Sequence, residues 1–103
     1  MTTAVVRVLA AMLTEPTAER YGLDLMQDTG LASGTLYPIL VRLERAGWVE
    51  SRWEDIDPVA EGRPSRRYYR LTDAGAAGAR RELAVLRQHL SRATGLVGKA
   101  REA

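Results

Sequence analysis

Between Gly62 and Arg70 the chain places four arginines, Arg63, Arg66, Arg67 and Arg70, and no acid. A guanidinium is planar and donates hydrogen bonds in pairs, to phosphate oxygens or to a guanine edge, so this run points to anion recognition. The preceding stretch, Glu54 to Glu61, carries Glu54, Asp55, Asp57 and Glu61 and no base. The change of sign makes a local positive patch on a chain whose net charge is only +2. Other chemistry is thinly supplied. His89 is the single histidine and there is no cysteine, which leaves neither a thiolate metal site nor a disulfide. No Gly-x-Ser-x-Gly elbow is present, and the acids lack the spacing and terminal Glu of a calcium loop. No catalytic residue, metal ligand or cofactor site is expected, and the chain reads as a non-enzyme.

A second stretch, Gly30 to Gly47, has the shape of a helix built to present a surface. Leu36, Ile39, Leu40 and Leu43 recur at i, i+3, i+4 and i+7, one apolar stripe on one helix. Ser33 stands where an N-cap is expected and Gly47 where a left-handed residue would close the helix. The opposite face carries Gly34, Pro38, Val41 and Arg45, flanked by Tyr37 and Arg42. A small N-terminal half followed by arginines suits entry into a major groove. Pro38 conflicts with a start at Gly34, because it has no N–H for the Gly34 carbonyl. Either the regular turns begin nearer Thr35 or that carbonyl is left to solvent or a partner.

These two stretches need elements to hold them. The 103 residues, 46% hydrophobic and 27% charged, are enough for one globular domain with a modest core. No apolar run spans a bilayer, and Met1 to Leu13 lacks the layout of a signal peptide; a reducing cytoplasm is expected. Thr3 is expected to cap a first helix with a stripe of Val5, Val8, Leu9, Met12 and Leu13, ended by Thr14-Glu15-Pro16. A second helix is expected from Thr17 to about Asp28, burying Tyr21, Leu23 or Leu25, and Met26. Thr29-Gly30 is a turn, so the second and third helices form a helix-turn-helix.

After Gly47 the period becomes two. Trp48 to Trp53 and Arg66 to Leu71 read as the strands of a hairpin, with Tyr69 and Leu71 inward and a polar loop from Asp55 to Ser65. Trp53 is expected to cover the base of that hairpin, and Trp48 either does the same or stacks on a planar ligand. The fold class is mainly α with a small β-hairpin: a winged helix-turn-helix over residues 1–71, followed by a C-terminal dimerisation helix over 72–103. Thr72 caps that last helix. Ala76, Ala79, Leu83, Leu86, Leu90, Ala93 and Val97 form a heptad seam too long for so small a body to cover, so a second copy of the chain is expected on Leu83, Leu86, Leu90 and Val97. Gly95 and Gly98 weaken its last turns.

The blocks GLASGTLYPILVRLERAGWVE and GRPSRRYYRLTDAG resemble the PadR family of bacterial transcriptional regulators, over roughly Val5 to Leu90. The resemblance implies a homodimer, held by the C-terminal helix against the partner's N-terminal and C-terminal helices. It also implies operator binding on double-stranded DNA, usually in repression, often relieved by a small-molecule effector. Carried over residue by residue, Ser33, Thr35, Tyr37, Pro38 and Arg42 match the DNA-facing part of the recognition helix, and Arg63, Ser65, Arg66 and Arg67 match the wing. The family's Gly-Tyr near the start of the second helix is inverted here to Tyr21-Gly22. A single C-terminal helix is that of the short subfamily.

The expected function is therefore a dimeric DNA-binding repressor with no cofactor. A winged helix that binds another protein through the same face is one alternative. A small-molecule-binding protein with weak DNA contact is another.

Overall fold

A computed structural model describes the backbone of residues 1–102 and the side chains of residues 1–95. Helix α1 spans Thr3–Leu13, and its cap is Thr2, not Thr3: the Thr2 hydroxyl accepts the Val5 N–H at 3.3 Å. Either threonine suits a cap by type, and one residue of register separates them. Val8, Leu9 and Met12 turn inward from α1.

The second helix forms but does not begin at Thr17 as expected. Arg20–Tyr21 is instead a two-residue strand, β1, and α2 is shorter, Gly22–Thr29, ending on left-handed Gly30. Leu25 is buried within α2, whereas Leu23 lies on its open side. Arg20 explains the change. Its guanidinium meets Asp28 at 2.5 Å, Thr14 Oγ1 at 2.8 Å and the Ala11 carbonyl at 3.3 Å. That cation ties the end of α1 to the end of α2, and an extended backbone at Arg20 brings it there.

Helix α3 spans Ser33–Arg45 and contains Pro38. Its N-cap is Ala32, which has no side-chain acceptor; Ser33 is the first helical residue. With the helix beginning there, the Gly34 carbonyl loses its usual donor on an exposed turn. Gly47 takes the positive φ of 78° that lets the chain leave α3 and enter β2 at once.

The wing is Val49–Trp53 (β2) and Arg67–Leu71 (β3), joined by a loop that contains one helical turn, Pro58–Glu61 (α4). The sheet has three strands, not the two of a hairpin alone, in the order β1-β3-β2. Its register pairs Arg20 with Tyr69, Tyr21 with Tyr68, and Ser51 with Tyr69 across β3. Leu36, Ile39, Leu40 and Leu43 from α3 meet Val8, Leu9, Met12, Leu25, Val49, Tyr69 and Leu71 in one core.

Helix α5 runs Asp73–Glu102 and is capped by Thr72, whose hydroxyl accepts the Gly75 N–H at 3.0 Å. Its first two turns lie on the body through buried Ala76 and Ala79. They approach closely because the facing residues are glycines. A Cβ at Gly75 would sit 1.9 Å from the Trp48 carbonyl oxygen, and one at Gly78 would sit 2.5 Å from the Trp48 indole. Beyond that clamp the helix leaves the body: Leu83 is half-buried, while Leu86 and Leu90 are 37% and 59% exposed. Val97 lies outside the residues whose side chains are described.

Candidate nucleic-acid interface

The core fixes which face of α3 is free. With its leucines and Ile39 buried, α3 turns Ser33, Gly34, Thr35, Tyr37, Pro38, Val41, Arg42 and Arg45 outward. Tyr37 does not swing freely. Its ring lies over Gly22 at the start of α2, where an added Cβ would fall 1.9 Å from the phenol oxygen. Gly22 is thus the seat of Tyr37.

The wing is held by polar contacts gathered on Glu54. Arg63 donates to both of its carboxylate oxygens, at 2.6 and 3.1 Å. The Tyr68 hydroxyl adds a third bond at 3.2 Å and the Arg66 N–H a fourth at 3.4 Å. The Arg63 hydrogen bond is the chief reason the Glu54 carboxyl is held down to about 2; burial opposes it, and the Arg66 N–H and Tyr68 hydroxyl assist. The Arg63 guanidinium is raised in return. Outside this knot, Arg66 lies over the Tyr21 ring at 4.6 Å and Arg67 over Trp53 at 5.0 Å. On the far face of the sheet Arg52 pairs with Glu19, and Arg70 with Glu50, so Arg70 is turned away from the cationic cluster.

Between α3 and the wing lies an open cleft of about 460 Å³, lined by Tyr37, Tyr21, Trp53, Ser65, Arg66 and Arg67 among others. Helix α3 and the wing therefore share one surface of aromatic rings and guanidinium groups. Residues 8–81 match the Transcriptional regulator PadR-like family, well over half of the chain. The chain belongs to the PadR-like family.

As a PadR-like protein it is a DNA-binding transcriptional regulator. Solved structures agree on the fold. A protein of Streptococcus mutans is 26% identical, with a TM-score of 0.72 over 90% of this chain and 88% of its own. A PadR-like transcriptional regulator from Bacillus cereus is 21% identical, with a TM-score of 0.70 over 90% and 89%. A PadR-like transcription factor from Bacteroides fragilis is 24% identical, with a TM-score of 0.69 over 90% and 87%. No curated protein matches the chain at a significant level.

Of the residues singled out in the PadR-like motif, Tyr37, Ser65, Arg66 and Arg67 meet in the cleft. Ser33, Thr35 and Pro38 lie on the open face of α3. Arg42 stands apart, on the rim of a second hollow of about 310 Å³ lined by Met1, Val5, Ile39, Leu43, Ala46 and Trp48. Arg63 is turned back onto Glu54.

Four residues at or behind this surface escape sequence reasoning: Trp53 and Tyr21, which line it, and Ser51 and Glu44, which contact Arg67. Alternation assigns Trp53 to the cover of the hairpin, yet it is 62% exposed and stands beside Arg67. At the end of a strand with one solvated face, alternation alone does not tell cover from display. Tyr21, Ser51 and Glu44 give no signal of their place here, because their roles depend on a long-range strand pairing and on contacts between elements. Among the described residues no group of His, Asp and Glu is arranged to hold a metal ion, and no helix is long and apolar enough to cross a membrane.

Proposed function

We propose that this PadR-like chain is a dimeric repressor that binds an operator duplex through α3 and the wing. The observation that carries the reading is the shared cleft, in which Tyr37 from α3 and Arg66 and Arg67 from the wing face the same space. Ser33, Thr35, Tyr37, Pro38 and Arg42 take the major groove side, and Ser65, Arg66 and Arg67 the stretch of duplex that flanks it. Arg42 and Arg66 form no ion pair among the described residues, so their charge is open to phosphate. Arg63 serves by holding the wing through Glu54.

A twofold dimer would set two recognition helices about 34 Å apart, in successive major grooves. The exposed Leu86 and Leu90 supply its seam, with half-buried Leu83 continuing it. An apolar planar effector fits the hollow beside Trp48, where ring stacking and contact with Val5 and Leu43 would bury it, and where it would touch Arg42.

Three measurements test this. Gel retardation on duplexes enriched from a randomised pool should show affinity that falls steeply with salt. Flat salt dependence would favour a protein-binding module instead. Sedimentation should give a dimer, and Leu86→Glu with Leu90→Glu should give monomer, since each glutamate would place unpaired charges in the seam. Titration with aromatic acids or dyes should quench tryptophan fluorescence and weaken the DNA complex; silence in both leaves a regulator without an effector at this hollow.

A further inference from the structure

Arg67 differs from the other wing arginines in the number of sides from which it is held. Its Nη2 donates to Ser51 Oγ at 2.8 Å, and Ser51 donates in turn to Glu44 Oε1 at 2.5 Å. Glu44 Oε1 itself lies 3.9 Å from Arg67 Nη2. On the other side the guanidinium lies over the Trp53 indole, 5.0 Å from the ring centroid. Arg66 has one such neighbour, the Tyr21 ring, and Arg63 is engaged by Glu54. The Arg67 side chain is still 35% exposed and lines the cleft with Tyr37.

We propose that Arg67 is a specificity-determining residue of the DNA surface, with Ser51 and Glu44 as its positioning residues. This rests on the reading of the cleft as a DNA surface. A phosphate is reached well enough by a mobile cation, but reading base edges requires a planar donor in fixed orientation. Ser51 and Glu44 hold the guanidinium at Nη2 and Trp53 holds one face, while the side chain stays partly exposed where it lines the cleft. Glu44 and Tyr37 sit on the same helix, so the clamp also sets the distance between the wing donor and the recognition helix. Helix and wing then read DNA in one register while the clamp is intact.

The test compares two duplexes across a salt series: one enriched from a randomised pool by the unaltered chain, and one of mixed sequence. Arg67→Lys keeps the charge and removes the planar fork. Ser51→Ala removes the hydrogen-bonded link to Glu44 and leaves only the 3.9 Å ion pair, and Ser51→Thr retains the hydroxyl. Arg67→Lys and Ser51→Ala should each lower the preference for the enriched duplex by roughly tenfold. The slope of log K against log salt should stay unchanged in both, because no charge is removed. Ser51→Thr should preserve the preference, which a general loosening of the fold would not do. Unchanged preference in Arg67→Lys overturns the proposal. So does equal weakening on both duplexes in Ser51→Ala, or a fall in Ser51→Thr as large as in Ser51→Ala. If the unaltered chain shows no salt-dependent duplex binding, the DNA reading itself fails, and this inference fails with it.

Discussion

Helix α3 reaches the cleft on an apolar footing, Leu36, Ile39, Leu40 and Leu43, each less than a tenth exposed, while the wing reaches it through ion pairs and rings stacked under arginines. The difference matters because the two kinds of support respond to different insults. Apolar burial is indifferent to pH and salt and is damaged by missing volume. A carboxylate knot is damaged by protonation and is screened where it meets solvent. One surface is thus assembled from a part that fails only when the domain unfolds and a part that can loosen on its own.

The sharpest break is Leu40→Ala. Leu40 is fully buried, and its truncation should cost about 2–5 kcal/mol in urea unfolding, removing DNA binding by loss of fold. An unchanged midpoint would mean that α3 is not held by the core as described.

Acid should act on the other side of the comparison. The folded Glu54 carboxyl lies at about 2, below its ordinary 4.5, so the stability it lends is complete above that ordinary value. It drains away as pH falls from there towards 2. The Trp53 indole signal in NMR should report this as a wing transition within that window while the core methyl signals hold. Glu54→Gln should show the loosened wing already at neutral pH, with no acid transition of its own. Simultaneous disappearance of wing and core signals would merge the two regions into one cooperative unit.

Gly22→Ala probes the join. The new methyl meets the far end of the Tyr37 side chain, which can rotate away, so stability should fall less than in Leu40→Ala. Tyr37 would leave its seat, and the preference for an enriched duplex over random DNA should shrink. Retained preference would show that the seat is irrelevant to reading. The mildest change is Arg66→Ala, which should weaken binding to all duplexes alike and flatten the salt slope by about 0.9 for each phosphate that is no longer neutralised.

The same contrast governs what is legible in the sequence. Apolar support leaves a period, so the stripe of α3, the stripe of α1, and the inward Tyr69 and Leu71 of β3 can all be read from spacing. Polar support leaves none. That Arg63 turns back to Glu54, or that Arg67 is clamped by Ser51, follows from loop geometry that no spacing encodes. β1 is invisible in the sequence because two residues carry no alternation, and its pairing depends on a strand far along the chain. Gly75 and Gly78 give no hint of their part in docking α5 on the body until Trp48 is seen against them. Composition treats the four arginines from Arg63 to Arg70 as one group, whereas each has different surroundings.

The pairing of Arg20 with Tyr69 and Tyr21 with Tyr68 also bears on the order in which the molecule assembles. β1 leads directly into α2, so the first half of the helix-turn-helix is fastened by a strand from the end of the wing. Closing so long a loop is entropically unfavourable until other contacts share the cost, and such distant pairings slow folding. A nascent chain released only as far as α3 would have its leucines available but no anchor for β1. The unit proposed to read DNA is therefore completed late, when β3 docks between β1 and β2, and pulse-labelled amide exchange should find Arg20 and Tyr69, the hydrogen-bonded pair of this register, among the last backbone groups to gain protection.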